Sequence, residues 1–517
     1  MRGLTMRDDS RFDQYFSARA ISIELPPAGI ASVMDRAARR HRHRRAAVSA
    51  CAAVAVLTGA LSFANLDGAP SAERVDVRQA GPVLVDSSLV WHAVTPRAAL
   101  SWSNSTVVGP GNALYSLSTA PGAVTEDSGP VPATLYRSAD GIEWTPTALP
   151  DNLNPSSLAT SDHLLYAIGT APAGGNLRAV QLASTNTAGA AWSRVTLPIN
   201  VAALEARYGV HVGLNRLTVA SNGTRVVVGV RVQVEDDLAK LMPRGIDVSQ
   251  GYSVTETGVD VYVASTPGAA PAEKEAAVAR KMKAPVVSAS YTWDQLNIDA
   301  ALRSLLLGET RVFVSDDGSN FAETSLPRAV RQLGALLATA DGFSLVGSSG
   351  ATYSTIESWS SADGHTWQAD AGLATPGYVL ASGTRRDRGV VVIAGQPEAG
   401  EQVATIKVQQ GDGKWSELGV TDLVRRAGIE GDFSTSGAAV GPLGVALVVT
   451  QYGSDEKEHS YLVTTTDGIE ASVVDLAPLV GEGHAGDVRV TADAITVTVS
   501  GNSAGSPVQL LVGTPKR

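Results

Sequence analysis

The sequence predicts an all-β domain joined to a membrane, and three observations support this prediction. From about residue 81 onward, short runs rich in Val, Ile and Thr alternate with Gly, Asn, Asp and Ser turns, as in β-sandwiches, barrels and propellers. A turn motif recurs roughly every 50 residues, the length of a propeller blade. Residues 46–66 carry no charge and are long enough to cross a bilayer as a helix.

The repeat decides between these all-β architectures. The motif Ser-x-Asp-Gly-x-x-Trp occurs at Ser138–Trp144 and Ser361–Trp367, with degraded copies around Asp317, Asp412 and Asp467. Trp144 lies 48 positions before Trp192 of a further degraded copy at 184–192, and from Asp317 onward successive copies lie 46 to 55 positions apart. This is the length of a unit of four short strands. The sequence therefore predicts a β-propeller.

The motif suits a tight hairpin between the last two strands of a blade. Asp and Ser side chains bond the backbone of such a turn, Gly supplies a positive φ, and the aromatic side chain packs beneath it. We assign this structural role to Ser138, Asp140, Gly141, Trp144, Asp317, Gly318, Ser361, Asp363, Gly364, Trp367, Asp412, Gly413, Trp415, Asp467 and Gly468.

These units resemble the Asp-box, or BNR, repeats of sialidase-like β-propellers, although they lack one residue between Asp and Gly. In that family the box is a structural turn away from the active site, so the resemblance implies a fold and no catalysis. The Arg-Ile-Pro-type motif that carries the first substrate-binding arginine of sialidases is absent before the first box. A sialidase-like glycosidase is therefore only an alternative.

The repeat also predicts the blade boundaries. Residues 98–478 divide into six units, and 484–515 supplies about three strands. A strand at 82–94 would complete the last unit and remove its open edge. We therefore predict seven blades, with six and eight as alternatives. The third unit carries an insertion at about 235–309, which lies opposite the box turns if it joins the second and third strands.

The insertion holds the grouping that we single out for ligand binding. Tyr291, Trp293 and Asp294 combine two aromatic rings with an acid, although aromatic packing that anchors the insertion is the commoner role. Two helices are expected here. One covers 272–283, and the other opens with a capping box at Thr292–Gln295 and ends at Gly308.

The N-terminal region predicts a topology. Residues 1–45 hold ten Arg and five acids, and all seven residues at 39–45 are Arg or His. By the positive-inside rule, 1–45 is a cytoplasmic basic tail, 46–66 a single transmembrane helix, 67–80 a linker and 81–517 an extracytoplasmic propeller. A cleaved signal peptide is the alternative, but the charged segment before the apolar run is long for one.

Composition limits the chemistry outside the membrane. Beyond residue 45 the chain keeps 31 basic and 46 acidic residues, and an acidic surface argues against nucleic acid as a partner. The single cysteine, Cys51, lies in the apolar segment, and the six exported histidines are scattered. We therefore expect no metal, no cofactor and no catalytic residues.

Three functions remain open. We expect a membrane-anchored, non-catalytic binding or scaffold module with a protein or glycan partner outside, in a bacterium with an Ala- and Arg-rich composition. In the second interpretation the 1–45 tail signals to a cytoplasmic protein. This layout resembles membrane anti-sigma factors, although their His-x-x-x-Cys-x-x-Cys signature is absent. The third is the glycosidase.

Overall fold

The computed structural model describes residues 83–516 except 95–100, 110–112, 120–132, 162–163, 173–177, 187–190, 236–240, 243–251, 263–286, 351–354, 386–387, 396–403, 411–413, 453–457, 481–482 and 501–508. The chain divides into two compact units. One comprises Arg78–Asp260, Ser290–Pro397 and Glu401–Arg517. The other comprises Met1–Val77, Val261–Ala289 and Glu398–Gly400, in which only 261–262 and 287–289 are described.

The first half of the chain begins with two short strands, β1 (Val83–Leu84) and β2 (Leu89–Val94), which join sheets formed later in the chain. It continues with two sheets of four strands. Sheet 1 consists of β3 (Ser101–Val108), β4 (Leu114–Thr119), β5 (Thr134–Ser138) and β6 (Thr145–Thr147). Sheet 2 consists of β7 (Asn154–Thr160), β8 (Leu165–Pro172), β9 (Arg178–Thr185) and β10 (Ser193–Thr196). Helix α1 (Val201–Tyr208) follows, capped by Asn200 and ended by Gly209 with φ 66°.

Sheet 3 is interrupted by the insertion. Its first two strands are β11 (Val212–Ser221) and β12 (Val226–Val234). The insertion then forms a three-stranded sheet of β13 (Tyr252–Thr255), β14 (Gly258–Tyr262) and β15 (Val287–Thr292), followed by helix α2 (Ala300–Leu307). Sheet 3 resumes with β16 (Glu309–Ser315) and β17 (Ala322–Thr324).

The second half of the chain forms four further sheets. Sheet 4 consists of β18 (Gln332–Thr339), β19 (Gly342–Ser348), β20 (Thr355–Ser361) and β21 (Gln368–Pro376). Sheet 5 consists of β22 (Tyr378–Arg385), β23 (Arg388–Ala394), β24 (Ala404–Gln409) and β25 (Trp415–Gly419), followed by helix α3 (Val420–Arg426). Sheet 6 consists of β26 (Asp432–Gly441), β27 (Gly444–Tyr452), β28 (Glu458–Thr465) and β29 (Glu470–Asp475), followed by helix α4 (Ala477–Val480). The last strands are β30 (His484–Val490), β31 (Ile495–Ser500) and β32 (Gln509–Pro515).

The N-terminal strands complete the C-terminal sheets. Strand β2 pairs antiparallel with β32, from Leu89 opposite Pro515 to Val94 opposite Leu510, so that β30, β31, β32 and β2 make up sheet 7. Strand β1 pairs in parallel with β29 and adds a fifth strand to sheet 6. The expectation of one strand at 82–94 is therefore met in part: Leu89–Val94 completes sheet 7, whereas Val83–Leu84 is a separate strand in sheet 6.

Successive sheets pack face to face. In β12, Val228 and Val230 pack against sheet 2 while Val227 packs against sheet 4, which explains the nearly unbroken run of valines in a strand buried on both faces. Similar clusters join sheets 1 and 2, 4 and 5, 5 and 6, and 6 and 7. Leu510 of sheet 7 packs with Ile142 of sheet 1. The last sheet thus meets the first, and the predicted β-propeller arrangement is confirmed.

Within the described residues, a β-bulge interrupts the first strand of each of sheets 1 to 7. The register against the second strand shifts at Trp102/Thr106, Pro155/Ser157, Asn215/Leu217, Leu333/Ala335, Val379/Ala381, Thr435/Gly437 and Ala485/Val488. Neighbouring first strands approach closely here, since a Cβ on Gly437 would lie 2.4 Å from the Gly486 carbonyl oxygen. Bulges bend a strand, and here they accompany this close packing.

Candidate functional site

Antiparallel order within each sheet gives the unit two distinct ends. The connections between first and second strands and between third and fourth strands lie at one end, which we call the box end. The connections between second and third strands, and those leading to the next sheet, lie at the other, which we call the insert end. The box turns therefore lie opposite the insertion, which joins β12 to β16.

The box turn between β5 and β6 shows how the motif is built. The Gly141 N–H donates to Ser138 Oγ at 2.8 Å, and Ser138 Oγ donates to Asp140 Oδ1 at 3.0 Å. The same carboxylate oxygen accepts the second and third backbone N–H groups after it, at 2.9 and 3.0 Å. Gly141 has φ 79°, and the Trp144 indole donates to its carbonyl at 3.0 Å.

Three further turns repeat this network. At 361–367, Gly364 has φ 76° and the Trp367 indole donates to its carbonyl at 2.9 Å. At 315–320 and 465–470, Asp317 and Asp467 each accept two following backbone N–H groups at 2.8 Å. The Asp412–Gly413 turn lies outside the described residues, and Trp415 is buried at the start of β25.

Hydrogen bonding within the turns lowers the pKa of three box carboxyl groups. The backbone N–H groups of Asn320 and its predecessor hold the pKa of Asp317 well below its usual range. The Thr366 N–H lowers the pKa of Asp363 in the same way. Partial burial raises the pKa of Asp140, but the donated backbone N–H groups outweigh it, and the net shift is downward. The lowered pKa values of these acids therefore come from hydrogen bonds inside the box turns.

Two of the box glycines, Gly364 and Gly468, also lie against the preceding sheet. A Cβ on Gly364 would lie 2.9 Å from methyl groups of both Val227 and Val314 of sheet 3, and a Cβ on Gly468 would lie 2.8 Å from Val408 of sheet 5. In the first box, the Arg489 guanidinium of sheet 7 lies over the Trp144 ring, 5.2 Å from its centroid. The boxes thus stabilise the contacts between neighbouring sheets.

In the insertion, the grouping predicted to bind ligand is divided between the core and the surface. Trp293 is 3% exposed, and its indole donates to the Glu256 carbonyl at 2.9 Å across the insertion. Tyr291 is half-buried in β15, and Asp294 is exposed. Trp293 therefore anchors the insertion, and ligand binding by the three residues stays a prediction.

The helix expected to open at Thr292 begins eight residues later. The reciprocal bonds of the capping box do form, with the Thr292 N–H donating to Gln295 Oε1 at 2.8 Å, but they close only a turn. Asn297 then has φ 54°, which interrupts a helix. Asp299 caps α2 instead, accepting the Leu302 N–H at 2.7 Å, and Gly308 ends the helix as predicted. The helix expected at 272–283 lies outside the described residues.

Arg331, which the sequence did not single out, holds the C-terminal end of the insertion. Its Nη1 donates to Ser304 Oγ at 2.9 Å and to the Gly308 carbonyl at 3.4 Å, and its Nε lies 3.5 Å from Glu256 Oε1. A cation at the C-terminus of α2 is also favoured by the helix dipole. The buried Arg231 donates from Nε to the Arg331 carbonyl at 2.9 Å.

A second charged group marks the N-terminal end of the insertion. His211 Nδ1 lies 2.8 Å from Glu205 Oε1 of α1, and His211 Nε2 lies 3.7 Å from Glu235 Oε2. The Glu235 N–H donates to the His211 carbonyl at 3.0 Å. Both ends of the insertion are therefore joined to the propeller by polar contacts, with an Arg331–Glu256 ion pair at the C-terminal end. No local sequence pattern predicts the Arg331 contacts or the His211 contacts, because the residues that make them lie far apart in the chain.

The described residues contain neither a membrane-spanning helix nor a three-ligand metal group. No helix there is long and apolar enough to span a membrane, and the predicted span at 46–66 lies outside those residues. Within the same part of the chain, no group of three or more His, Cys, Asp or Glu side chains is arranged to hold a metal ion.

Comparisons with known proteins give similarities of fold. No protein-family model matches the chain, and no curated protein matches it. Among solved structures, the chain is similar to a Trypanosoma rangeli sialidase in complex with the inhibitor DANA, at 11% identity and a TM-score of 0.30, over 82% of this chain and 59% of the sialidase. It is also similar to YjhT, at 11% identity and a TM-score of 0.37, over 75% of this chain and 100% of YjhT.

A third similarity is to the GH74 xyloglucanase from Xanthomonas campestris, at 14% identity and a TM-score of 0.32, over 82% of this chain and 55% of the enzyme. The chain thus spans less than two thirds of the sialidase and of the xyloglucanase. At this level of identity and TM-score, no activity follows from any of these similarities.

Proposed function

We propose that the chain is a membrane-anchored recognition module, a propeller of seven blades that binds a protein or glycan at its insert end without chemical turnover. Each of sheets 1 to 7 is one blade. The observation that carries the proposal is the set of Arg331 contacts, which fixes both α2 and the Glu256 turn against the propeller.

A fixed insertion is a surface prepared for binding. Ordering a loop during association costs free energy, so a loop that is already held in place binds more tightly for the same contacts. The insertion displays Tyr252, which is 37% exposed, together with the exposed Glu256 and Asp294. An aromatic ring and carboxylates exposed on the same insertion suit a partner that offers hydroxyl groups or cations.

The lowered pKa values of the box acids have a structural cause. The lowered pKa values of Asp140, Asp317 and Asp363 are accounted for by backbone donors within the box turns. These turns lie at the end opposite the insertion. The shifts therefore serve the fold, and they do not favour an acid–base pair for glycoside hydrolysis.

The location of the module belongs to the same proposal. Residues 46–66 form the single membrane span, with 1–45 in the cytoplasm and the propeller outside a bacterial cell. A cytoplasmic protein that binds the basic tail is the alternative route to signalling.

The test is a glycan array probed with the full-length chain in detergent, together with cross-linking in envelope preparations. Tyr252→Ala and Asp294→Ala change the insert end, and Asn320→Ala and Ile469→Ala are matched controls at the box end. We expect at least roughly tenfold weaker binding in the insert-end variants only, the cost of one well-buried contact. Equal losses in both pairs, or hydrolysis of a sialoside by the wild-type chain, would overturn the proposal. Carbonate extraction of membranes tests the anchor separately.

A further inference from the structure

The hairpin that joins β11 to β12 at the box end carries the pair Asn222–Gly223, and no other Asn-Gly pair occurs in the sequence. Both residues are exposed, whereas Ser221 before them is buried. Gly223 has φ 86°, and a Cβ built on it would have no neighbour within 4 Å. Because glycine has no side chain to hinder it, its backbone nitrogen can approach the amide carbon of the preceding asparagine. Asn222 is therefore open to attack by its own backbone.

The side-chain oxygen of Asn222 is surrounded by hydrogen-bond donors. Asn222 Oδ1 accepts the Arg225 N–H at 2.9 Å, the Thr224 hydroxyl at 3.0 Å and the Thr224 N–H at 3.2 Å. Asparagine commonly bonds the backbone of its own turn in this way. Fixed donors also stabilise the negative charge that develops on a carbonyl oxygen during nucleophilic attack. The turn therefore holds the Asn222 amide polarised for attack at Cγ.

The attacking nitrogen has a fixed acceptor for its proton. The Gly223 N–H donates to Ser221 Oγ at 3.3 Å, and Ser221 Oγ donates in turn to the Tyr166 hydroxyl at 3.5 Å. Ser221 is 6% exposed, and Tyr166 is buried in β8 of sheet 2. Because two sheets contribute to it, this arrangement forms only in the folded propeller.

We propose that Asn222 is a site of spontaneous deamidation that the folded turn promotes. The Gly223 nitrogen forms a bond to Asn222 Cγ, and the bond from Cγ to Nδ2 breaks. Nδ2 leaves as ammonia together with the proton of the Gly223 N–H, which leaves a cyclic imide. A water molecule then opens the imide at either carbonyl and gives aspartate or isoaspartate at this position. Asn222 is exposed, so the solvent supplies the water.

The product adds a negative charge beside a charged group that joins two sheets. Arg225 Nε lies 2.6 Å from Asp316 Oδ1, and His365 Nε2 of the sheet 4 box turn lies 3.5 Å from Asp316 Oδ2. Aspartate keeps an oxygen that can accept the same donors, whereas isoaspartate lengthens the main chain of the turn and displaces Arg225. Deamidation therefore acts on the contact between sheets 3 and 4, at the end opposite the insertion.

Peptide mapping of the full-length chain after incubation in isotopically oxygen-labelled water tests the proposal. We expect labelled aspartate and isoaspartate at position 222. We expect none at the exposed Asn152 and Asn320, since the side chains of Leu153 and Phe321 hinder attack by the following nitrogen. The urea-unfolded chain should react more slowly at position 222 than the folded chain. An unmodified Asn222 in the folded chain, or faster conversion after unfolding, would overturn the proposal.

Two substitutions separate the role of the turn from that of the Asn-Gly pair. Thr224→Val removes the hydroxyl donor to Asn222 Oδ1, and Ser221→Ala removes the acceptor of the Gly223 N–H. We expect each to slow the conversion roughly 2- to 10-fold, the effect of one neutral hydrogen bond. Ser319→Ala, which removes an exposed hydroxyl from a box turn at the same end, is the matched control. Wild-type rates in both variants would contradict the role of the turn, and neither measurement depends on a ligand at the insert end.

Discussion

The two ends of the propeller are stabilised on different scales of sequence distance. At the box end, Asp363 bonds the second and third residues after it, and Ser361 bonds the third. At the insert end, Arg231 bonds a carbonyl that is 100 positions away, and Arg331 reaches back 27 positions to Ser304. The turns at the box end are therefore determined by short sequence motifs, whereas the contacts at the insert end form only in the completed fold.

This difference indicates which substitutions should affect only a nearby segment and which should affect the packing of the whole propeller. A box turn is self-contained in its hydrogen bonds but lies against the neighbouring sheet, so its disruption affects a contact between blades. The insertion is joined to the propeller through a few charged side chains. Loosening them releases the insertion while the sheets keep their packing.

The largest effect is expected at a box glycine. Gly364→Ala combines an unfavourable positive φ with overlap against Val227 and Val314, and we expect it to lower the free energy of unfolding by about 2–5 kcal/mol. Gly223→Ala is the matched control, since Gly223 has φ 86° but no neighbour within 4 Å. It isolates the backbone cost of roughly 1–2 kcal/mol. Urea unfolding measures both, and equal losses would show that the contact with sheet 3 is unimportant.

The insert end should respond locally. Arg331→Ala removes a guanidinium that is only 13% exposed, and hydrogen bonds to charged groups contribute about 1.5–3 kcal/mol. We expect hydrogen exchange in α2 to accelerate roughly 10- to 150-fold, with little change in the sheets. Arg328→Ala, whose side chain is 54% exposed and pairs with Glu357, is the control. An equal acceleration throughout the sheets would refute the local character of this end.

A smaller effect is expected when the box carboxylate is removed. Asp363→Ala leaves the N–H groups of two residues without their acceptor, comparable to the loss of a helix cap, about 0.5–2 kcal/mol. Asp363→Asn keeps an oxygen at the same position and should recover most of this loss. Thermal unfolding of the two variants makes the comparison. If the amide recovers nothing, the negative charge matters more than the hydrogen-bond geometry.

The smallest expected effect is a loss of folding stability at low pH. The folded pKa of Asp317 lies below its unfolded value, which is about 3.9. The turn therefore contributes its full stabilisation above that pH, and the contribution is lost as the pH falls through the lower folded pKa. Asp317→Asn should flatten the fall in urea midpoint below pH about 4, because the amide has no proton to gain in that range. Parallel curves for the wild type and Asp317→Asn would count against this assignment.

Much of the architecture could be predicted from the sequence because the repeated turn carries its own chemistry. Ser138, Asp140 and Gly141 are sufficient to define a hairpin, and their spacing fixes the size of a sheet. The pairing of β2 with the C-terminal sheet followed from counting strands. Each of these inferences rests on contacts within a few residues or on a regular interval.

The insert end was less predictable. Thr292 and Gln295 form the bonds of a capping box, yet the positive φ of Asn297 ends that turn before a helix can grow. Nothing in the local sequence marks Arg331 or the bulges of the first strands, because both arise where separate strands meet. The exposure of an aromatic residue depends on packing in the same way, so Trp293 could not be assigned to the core or to a binding surface in advance.

The pairing of β2 with the last strands also orders the events of biosynthesis. Lys516 Nζ donates to the Ser87 carbonyl across 429 positions of sequence. At a translation rate of about 5–20 residues per second, the N-terminal strand waits roughly 20–90 s for its partner to be made. During that interval Leu89 and Trp91, which later pack between sheets 6 and 7, have nothing to cover them. A chaperone that holds the nascent N-terminal segment would therefore raise the yield of closed propeller, and truncation of the last strand would leave the whole ring open.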